Sequence, residues 1–256
     1  MDMKDENSYI INTEGGHHMN SSIEETNFSV HIFGEPDADT LLIQMVDDHD
    51  MEVIEKEVAY IRELSGGQSF CLQAIKVDNW NHDLSPWPAP PVIGEEGFGD
   101  GAEKTLQYLM EKILPDVKEI VPESSEEASP VSTKSAAPTR IFLGGYSLAG
   151  LFALWAGCRT DRFNGIAAAS PSAWFPHFTE YMREHELQAE AVYLSLGDRE
   201  ERTKNPVMSQ VGNAIREIST ILTEQGKDCV LEWNKGNHFK NPDLRTAKAF
   251  AWLMMR

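Results

Sequence analysis

Cysteine is scarce in this 256-residue chain: Cys71, Cys158 and Cys229 are the only three, and they lie far apart. No Cys-x-x-Cys spacing occurs. Neither a zinc ribbon nor a disulfide framework is offered, and the thiols read as small buried hydrophobes in a reducing compartment. Positive charge is also short. Against 41 Asp and Glu stand 22 Lys and Arg, a formal net charge of −19, which argues against nucleic acid and against an anionic membrane surface as partners. No apolar run approaches the roughly 20 residues that span a bilayer. The opening M-D-M-K-D-E-N-S-Y lacks the apolar core of a secretory signal, so a cytoplasmic location is expected.

What remains is a globular composition, 41% hydrophobic and 25% charged, in a length that suits a single sizeable domain. No internal repeat is visible. Eight segments read as strands: 8–12, 27–34, 40–46, 70–77, 140–145, 165–169, 191–197 and 228–233. From residue 40 onward several are near-continuous apolar runs, such as L-L-I-Q-M-V and A-V-Y-L-S-L-G, the pattern of parallel strands covered on both faces. Helical patterns fall at 51–64, 101–121, 148–157, 206–225 and 243–254. The alternation predicts an α/β fold: a mostly parallel eight-stranded sheet with helices on both faces. The first two strands have no helix between them and predict an antiparallel hairpin at the sheet edge. Residues 122–138, rich in Ser, Ala and Pro, read as a mobile surface loop. Residues 78–101, stiffened by proline and weighted by Trp80 and Trp87, form a second long loop of the kind that often serves function.

The chemistry centres on R-I-F-L-G-G-Y-S-L-A-G-L-F-A-L-W-A, where a strand pattern turns directly into a helix pattern at Ser147. A nucleophile held out on such a turn brings strand end and helix start together, so only small residues fit two before and two after it. Gly145 and Ala149 occupy those positions. Alanine departs from the common G-x-S-x-G but meets the steric requirement. The helix start beyond Ser147 favours developing negative charge, which makes the Leu148 N–H a natural oxyanion donor. A phosphate-binding turn is the alternative, but Gly144, Gly145 and Gly150 do not match G-x-G-x-x-G.

Two later strand ends complete a constellation. The strand at 191–197 runs into G-D-R-E-E, and the strand at 228–233 is followed by G-N-H-F. The chain order is serine, acid, histidine, at the strand ends where a hydrolase triad places them. Ser147 is the candidate nucleophile and His238 the candidate base. The acid is open among Asp198, Glu200 and Glu201. Glu200, three residues past Gly197, is the first choice and Asp198 the second. The second oxyanion donor is expected from the loop after the third strand, at the N–H of Asp47 or Asp48, although the carboxylates there are unfavourable neighbours for an oxyanion.

With G-G-Y-S-L-A-G, A-A-A-S-P-S-A-W-F, S-L-G-D-R-E-E and G-N-H-F in place, the chain resembles the enterochelin-esterase-like branch of the α/β-hydrolases from about residue 40 to its end. That group also includes feruloyl esterases and mycolyltransferases. The resemblance implies a Ser–His–acid esterase of carboxylic esters, acting through an acyl-enzyme on a small-molecule ester, with no metal or organic cofactor. Only about twenty residues separate the sixth and seventh strands, so no large cap is expected, and the site is open. Its expected walls are the 78–101 loop and S-P-S-A-W-F-P-H-F, with Trp87 and Trp174 as substrate-binding candidates beside Trp80 and Phe175. His49, His82 and His177 read as solvated loop histidines.

Three other readings compete. An acyltransferase would use the same residues. A non-catalytic binding module on the same fold is possible in principle, since fold does not imply function. A dinuclear metallophosphoesterase is suggested by Asp47-x-His49, Gly197-Asp198 and Asn237-His238, but about 150 residues separate the first two motifs, no histidine follows His238, and Ser147 would have no role. The sequence leaves the acyl group, the alcohol and the oligomeric state open.

Overall fold

The computed structural model describes residues 9–11, 28–114 and 138–256. The chain runs β1 (Tyr9–Ile11), β2 (Ser29–Gly34), β3 (Thr40–Val46), α1 (Asp48–Leu64), β4 (Cys71–Lys76), α2 (Trp80–Asp83) and α3 (Ala102–Tyr108), which a π turn continues to Ile113. After the undescribed 115–137 come β5 (Arg140–Tyr146), α4 (Leu148–Gly157), β6 (Gly165–Ala169), α5 (Phe178–Glu184), β7 (Ala191–Gly197), α6 (Val211–Glu224), β8 (Asp228–Asn234) and α7 (Pro242–Met254). Nearly all of the surface loop expected at 122–138, and the end of the helix expected at 101–121, lie outside the described residues.

The strands form one sheet in the order β1-β2-β4-β3-β5-β6-β7-β8. β1 and β2 pair antiparallel at the edge, with Ile10 opposite His31, and β2 pairs antiparallel with β4. Every other pairing is parallel. The period-two rule assigns the faces. Leu42 and Val46 of β3 turn toward α1 and α7, where they join Ile54, Ile61, Phe250 and Leu253. Leu41, Ile43 and Met45, one residue out of step, belong to the cluster on the other face, which also takes in Leu151, Phe152 and Trp155 of α4 and Ile215 and Ile218 of α6. β3, β5, β6 and β7 are buried along almost their whole length, which is why they carry apolar residues at consecutive positions.

α1 begins three residues before its apolar periodicity does. Asp47 caps it by accepting from the Asp50 N–H at 2.8 Å, while the Asp50 carboxylate accepts from the Asp47 N–H at 3.2 Å, a reciprocal capping box. α2 and α5, with four and seven residues, are too short to show a helical period and were not expected. The connection from β6 to β7 contains only the short α5, so this connection raises no cap domain over the carboxyl ends of the strands. No helix among the described residues is long and apolar enough to cross a membrane.

Candidate active site

β5 ends at Tyr146 and α4 starts at Leu148, so a single residue makes the turn. Ser147 holds φ 57° and ψ −118°, a conformation that a non-glycine residue adopts at a penalty of about 1–3 kcal/mol. The surroundings hold it there. Its N–H donates to the Ala169 carbonyl at 3.1 Å, and its carbonyl accepts from the Leu151 N–H at 3.1 Å and from the Ser172 N–H at 2.9 Å. The need for small neighbours is literal: a Cβ on Gly145 would sit 2.5 Å from that of Ala149. The methyl of Ala149 thus occupies room that glycine at 145 leaves.

The loop after β8 carries His238 to this turn. Its Nε2 lies 3.0 Å from Ser147 Oγ, and its Nδ1 lies 2.7 Å from Glu200 Oε2. With the Nδ1 proton facing the carboxylate, Nε2 is the acceptor for the serine hydroxyl. Glu200 sits in a 3-10 turn just after β7, with its side chain 4% exposed. Its Oε1 accepts from the Gly197 N–H at 2.7 Å, from the Ser170 hydroxyl at 2.9 Å and from Arg245 Nη1 at 2.8 Å. Burial works against ionisation of Glu200. The hydrogen bond and charge of His238, helped by the Gly197 N–H and the Ser170 hydroxyl, outweigh it and hold the carboxyl below its usual value.

The other two acids of G-D-R-E-E turn elsewhere. Asp198 accepts from the Gly236 N–H at 2.8 Å and so ties the two loops together, without facing the imidazole. Glu201 pairs with Arg216 of α6 at 3.1 Å. The side-chain directions therefore correct the inclusion of Asp198 beside the histidine: in this turn only the third residue past Gly197 points inward.

Gln44 pairs with Gly144, so β3 and β5 run side by side toward their carboxyl ends, where Asp47 and Asp48 begin α1 and Ser147 precedes α4. The Asp47 N–H is engaged by Asp50, which removes it as a free donor. Asp48 is the first residue of α1, and Leu148 the first of α4; N–H groups at that position have no acceptor within their own helix. The Asp48 carboxylate is 86% exposed and paired with Lys76 at 2.7 Å, so its charge is turned away and neutralised.

Trp87 and Trp174 are both half-buried. Trp87 donates its indole N–H to the Pro176 carbonyl at 3.0 Å and packs on Phe175, Phe178 and Tyr181, fastening the 78–101 loop to α5. Trp174, two residues past Ser172, meets Phe98 edge-on. His49 lies exposed beside Glu52, and His82 beside Asp83. His49 and Asp198 thus face different partners, and no three metal-ligating side chains converge among the described residues.

Four residues at the site were not singled out from the sequence. Ser172 Oγ is 3.3 Å from Ser147 Oγ, and its S-P-S-A-W-F context was the available signal. Ser170, like Ser147, has a positive φ, of 43°. Tyr146 donates its hydroxyl to the His238 carbonyl at 2.6 Å. Arg245 falls in the helical pattern at 243–254, where it shares a face at i, i+4, i+8 with the buried Ala249 and Leu253.

No protein-family model and no curated protein matches the chain. Solved structures do. The siderophore hydrolase EstA from Aspergillus nidulans superposes with a TM-score of 0.66 at 17% identity, over 97% of this chain and 94% of that one. An IroE-like serine hydrolase from Shewanella oneidensis gives 0.67 at 16% identity, over 97% and 80%. The enterobactin hydrolase IroE in complex with DFP gives 0.61 at 17%, over 90% of each chain. The chain has the α/β-hydrolase fold. At these identities the likeness is one of architecture. In an α/β-hydrolase fold of this strand order, the carboxyl ends of β3, β5, β7 and β8 meet at one edge of the sheet. Those four strand ends carry Asp48, Ser147, Glu200 and His238.

Proposed function

We propose that this protein is a serine hydrolase of carboxylic esters, with Ser147 as nucleophile, His238 as general base and acid, and Glu200 as the carboxylate that orients the imidazole. One observation carries the reading: an unbroken series of contacts from Ser147 Oγ through both ring nitrogens of His238 to Glu200, at 3.0 and 2.7 Å. These are hydrogen-bond distances suited to proton transfer.

The steps follow from the donors and acceptors. Ser147 Oγ attacks the ester carbonyl as its proton passes to His238 Nε2. The oxyanion that forms is received by the Leu148 and Asp48 N–H groups, backed by the amino ends of α4 and α1. Collapse breaks the C–O bond, and the departing alkoxide takes the proton from Nε2, leaving an ester on Ser147. Water, deprotonated by Nε2, then releases the acid and restores the hydroxyl. Glu200 stays ionised throughout.

The substrate is a small ester that enters from open solvent. Trp174 and Phe239, the latter 85% exposed beside His238, supply apolar surface at the rim. EstA is a siderophore hydrolase and IroE an enterobactin hydrolase, which favours siderophore-type esters as natural candidates, with simple aryl esters as laboratory substrates. Transfer of the acyl group to an acceptor other than water would use the same residues.

A fluorophosphonate probe tests the reading, applied to wild type and Ser147→Ala with and without EDTA. The expected result is labelling of the wild type alone, indifferent to EDTA. An unlabelled wild type would overturn it.

A further inference from the structure

We propose that Arg245 is the positioning residue of this site: one buried guanidinium that fastens the nucleophile, acid and histidine segments to each other and limits the pull of Glu200 on the imidazole proton. The inference rests on the serine-hydrolase reading and adds to it a residue from the opposite face of the sheet.

Arg245 is 2% exposed. Burying a guanidinium without acceptors is prohibitive, and its acceptors here are distributed with one on each segment of the site. Nη1, which carries two hydrogens, lies within hydrogen-bond distance of three acceptors, Tyr146 Oη at 3.0 Å, Ser170 Oγ at 3.0 Å and Glu200 Oε1 at 2.8 Å, so that one N–H is shared. Nη2 donates to the Asn237 carbonyl at 2.9 Å. Tyr146 immediately precedes Ser147, Asn237 immediately precedes His238, and Ser170 lies two residues before Ser172. Tyr146 adds a further tie, through its hydroxyl, to the carbonyl of His238. The planar fork reaches four acceptors at once, which a lysine ammonium on its flexible stem does not do.

The charge has its own consequence. Glu200 and Arg245 together are neutral, so the imidazole between Ser147 and Glu200 faces a carboxylate already compensated on its far oxygen. When His238 takes the serine proton, a net positive charge appears. Without Arg245, the full charge of Glu200 would act on the ring and favour its protonated form in the resting enzyme. The other groups around Arg245 do not supply a substitute. Tyr146 of β5 and Tyr193 of β7 are phenols whose burial pushes them up, Tyr146 to about 12. On α7 itself, Asp243 pairs with Lys56 of α1, and Lys248 pairs with Glu232 of β8. Glu200 is the only anion paired with Arg245 among the described residues.

The test is the pH profile of kcat/KM for 4-nitrophenyl acetate in wild type, Arg245→Met and Arg245→Lys, each first titrated with the fluorophosphonate probe. Arg245→Met removes the charge and keeps the stem. Its acid limb is expected to move up by about one pH unit, since a charge within about 6 Å acts on this scale, with kcat at least about tenfold lower. Arg245→Lys keeps the charge and loses the fork. Its acid limb is expected to stay near that of wild type, while kcat falls about tenfold with KM unchanged, because Arg245 does not touch substrate. A residue that merely supports the fold would lower stability and active fraction without moving the limb. An active, labelled Arg245→Met with the wild-type limb overturns the electrostatic role, and Arg245→Lys with wild-type kcat overturns the positioning role. A wild type that neither labels nor turns over the ester fails the underlying hydrolase reading instead.

Discussion

The departure from G-x-S-x-G at Ala149 can be tested by moving one methyl group. In the native turn the methyl sits on Ala149 and position 145 is bare. Placing it on Gly145 instead, with Ala149 retained, puts two methyl carbons 2.5 Å apart and brings the new one within 3.2 Å of the Ala149 carbonyl carbon. Unstrained carbon contacts lie near 3.5–4.0 Å, so the overlap is about 1 Å. The backbone has little room to yield, since Ser147 already holds its positive φ. Gly145→Ala should therefore cost about 1–3 kcal/mol, the range for overpacking a tight site. Ala149→Gly alone should cost about 1–2 kcal/mol, from lost helix propensity and one buried methyl. In the double variant Gly145→Ala/Ala149→Gly the worst contact disappears while the 3.2 Å one remains. It should be more stable than the simple sum by about 1–2 kcal/mol. At about 2–4 °C per kcal/mol for a chain of this size, thermal denaturation resolves that coupling, and the rate of fluorophosphonate labelling should recover in parallel. A Gly145→Ala variant within about 0.5 kcal/mol of wild type would refute the argument, as would strict additivity in the cycle.

Three further outcomes are expected. Glu200→Gln keeps the volume but loses the charge that fixes the imidazole tautomer, and should lower kcat by about three to four orders of magnitude, whereas Asp198→Asn should change it less than about tenfold; equal losses in steady-state assays would contradict the assignment of the acid. Asp50 is pushed from 3.8 to about 7, by burial first and by the charge of Asp47 next. A carboxyl raised in the folded state loses stability as pH rises from its unfolded value to its folded one. Asp50→Asn, which can still accept from Asp47, should therefore gain on wild type between about pH 4 and 7 and level off above, by about 4 kcal/mol or roughly 10 °C in Tm; a Tm difference independent of pH would reject this. Trp87→Ala should lower stability by about 2–3 kcal/mol, because the ring fastens a long loop to α5, and a raised KM for aryl esters with unchanged Tm would make it a substrate contact instead.

Much of the architecture was legible because burial writes itself into local periodicity. The β3, β5, β6 and β7 runs are apolar on both faces, and the observed strands match the expected ones to within a residue or two at either end. The antiparallel edge pair followed from the lack of a helical pattern between the first two strands of the sequence. What periodicity missed was short: α2 and α5 each span two turns or fewer. α1 started early because Asp47 and Asp50 cap each other, an interaction that D-D-H-D permits but its spacing alone did not select over the oxyanion role.

The sequence by itself determined the turn at Ser147, since steric exclusion at positions 145 and 149 is a local matter, and it determined the chain order of serine, acid and histidine, since each follows a recognisable strand. Direction is a different property. Asp198, Glu200 and Glu201 are carboxylates within four residues of one another, and only the turn after β7, tied to Gly236 and α6, aims one of them at the imidazole. The Asp47 N–H looked free until its helix cap closed on it. Arg245 carries no sign of the site in its own helix, because its acceptors lie at the end of β5 and in the segments that follow β6, β7 and β8, 8 to 99 residues away along the chain. A hydrogen bond depends on where the partner ends up in space, and that is decided by the whole sheet closing, not by any stretch of it.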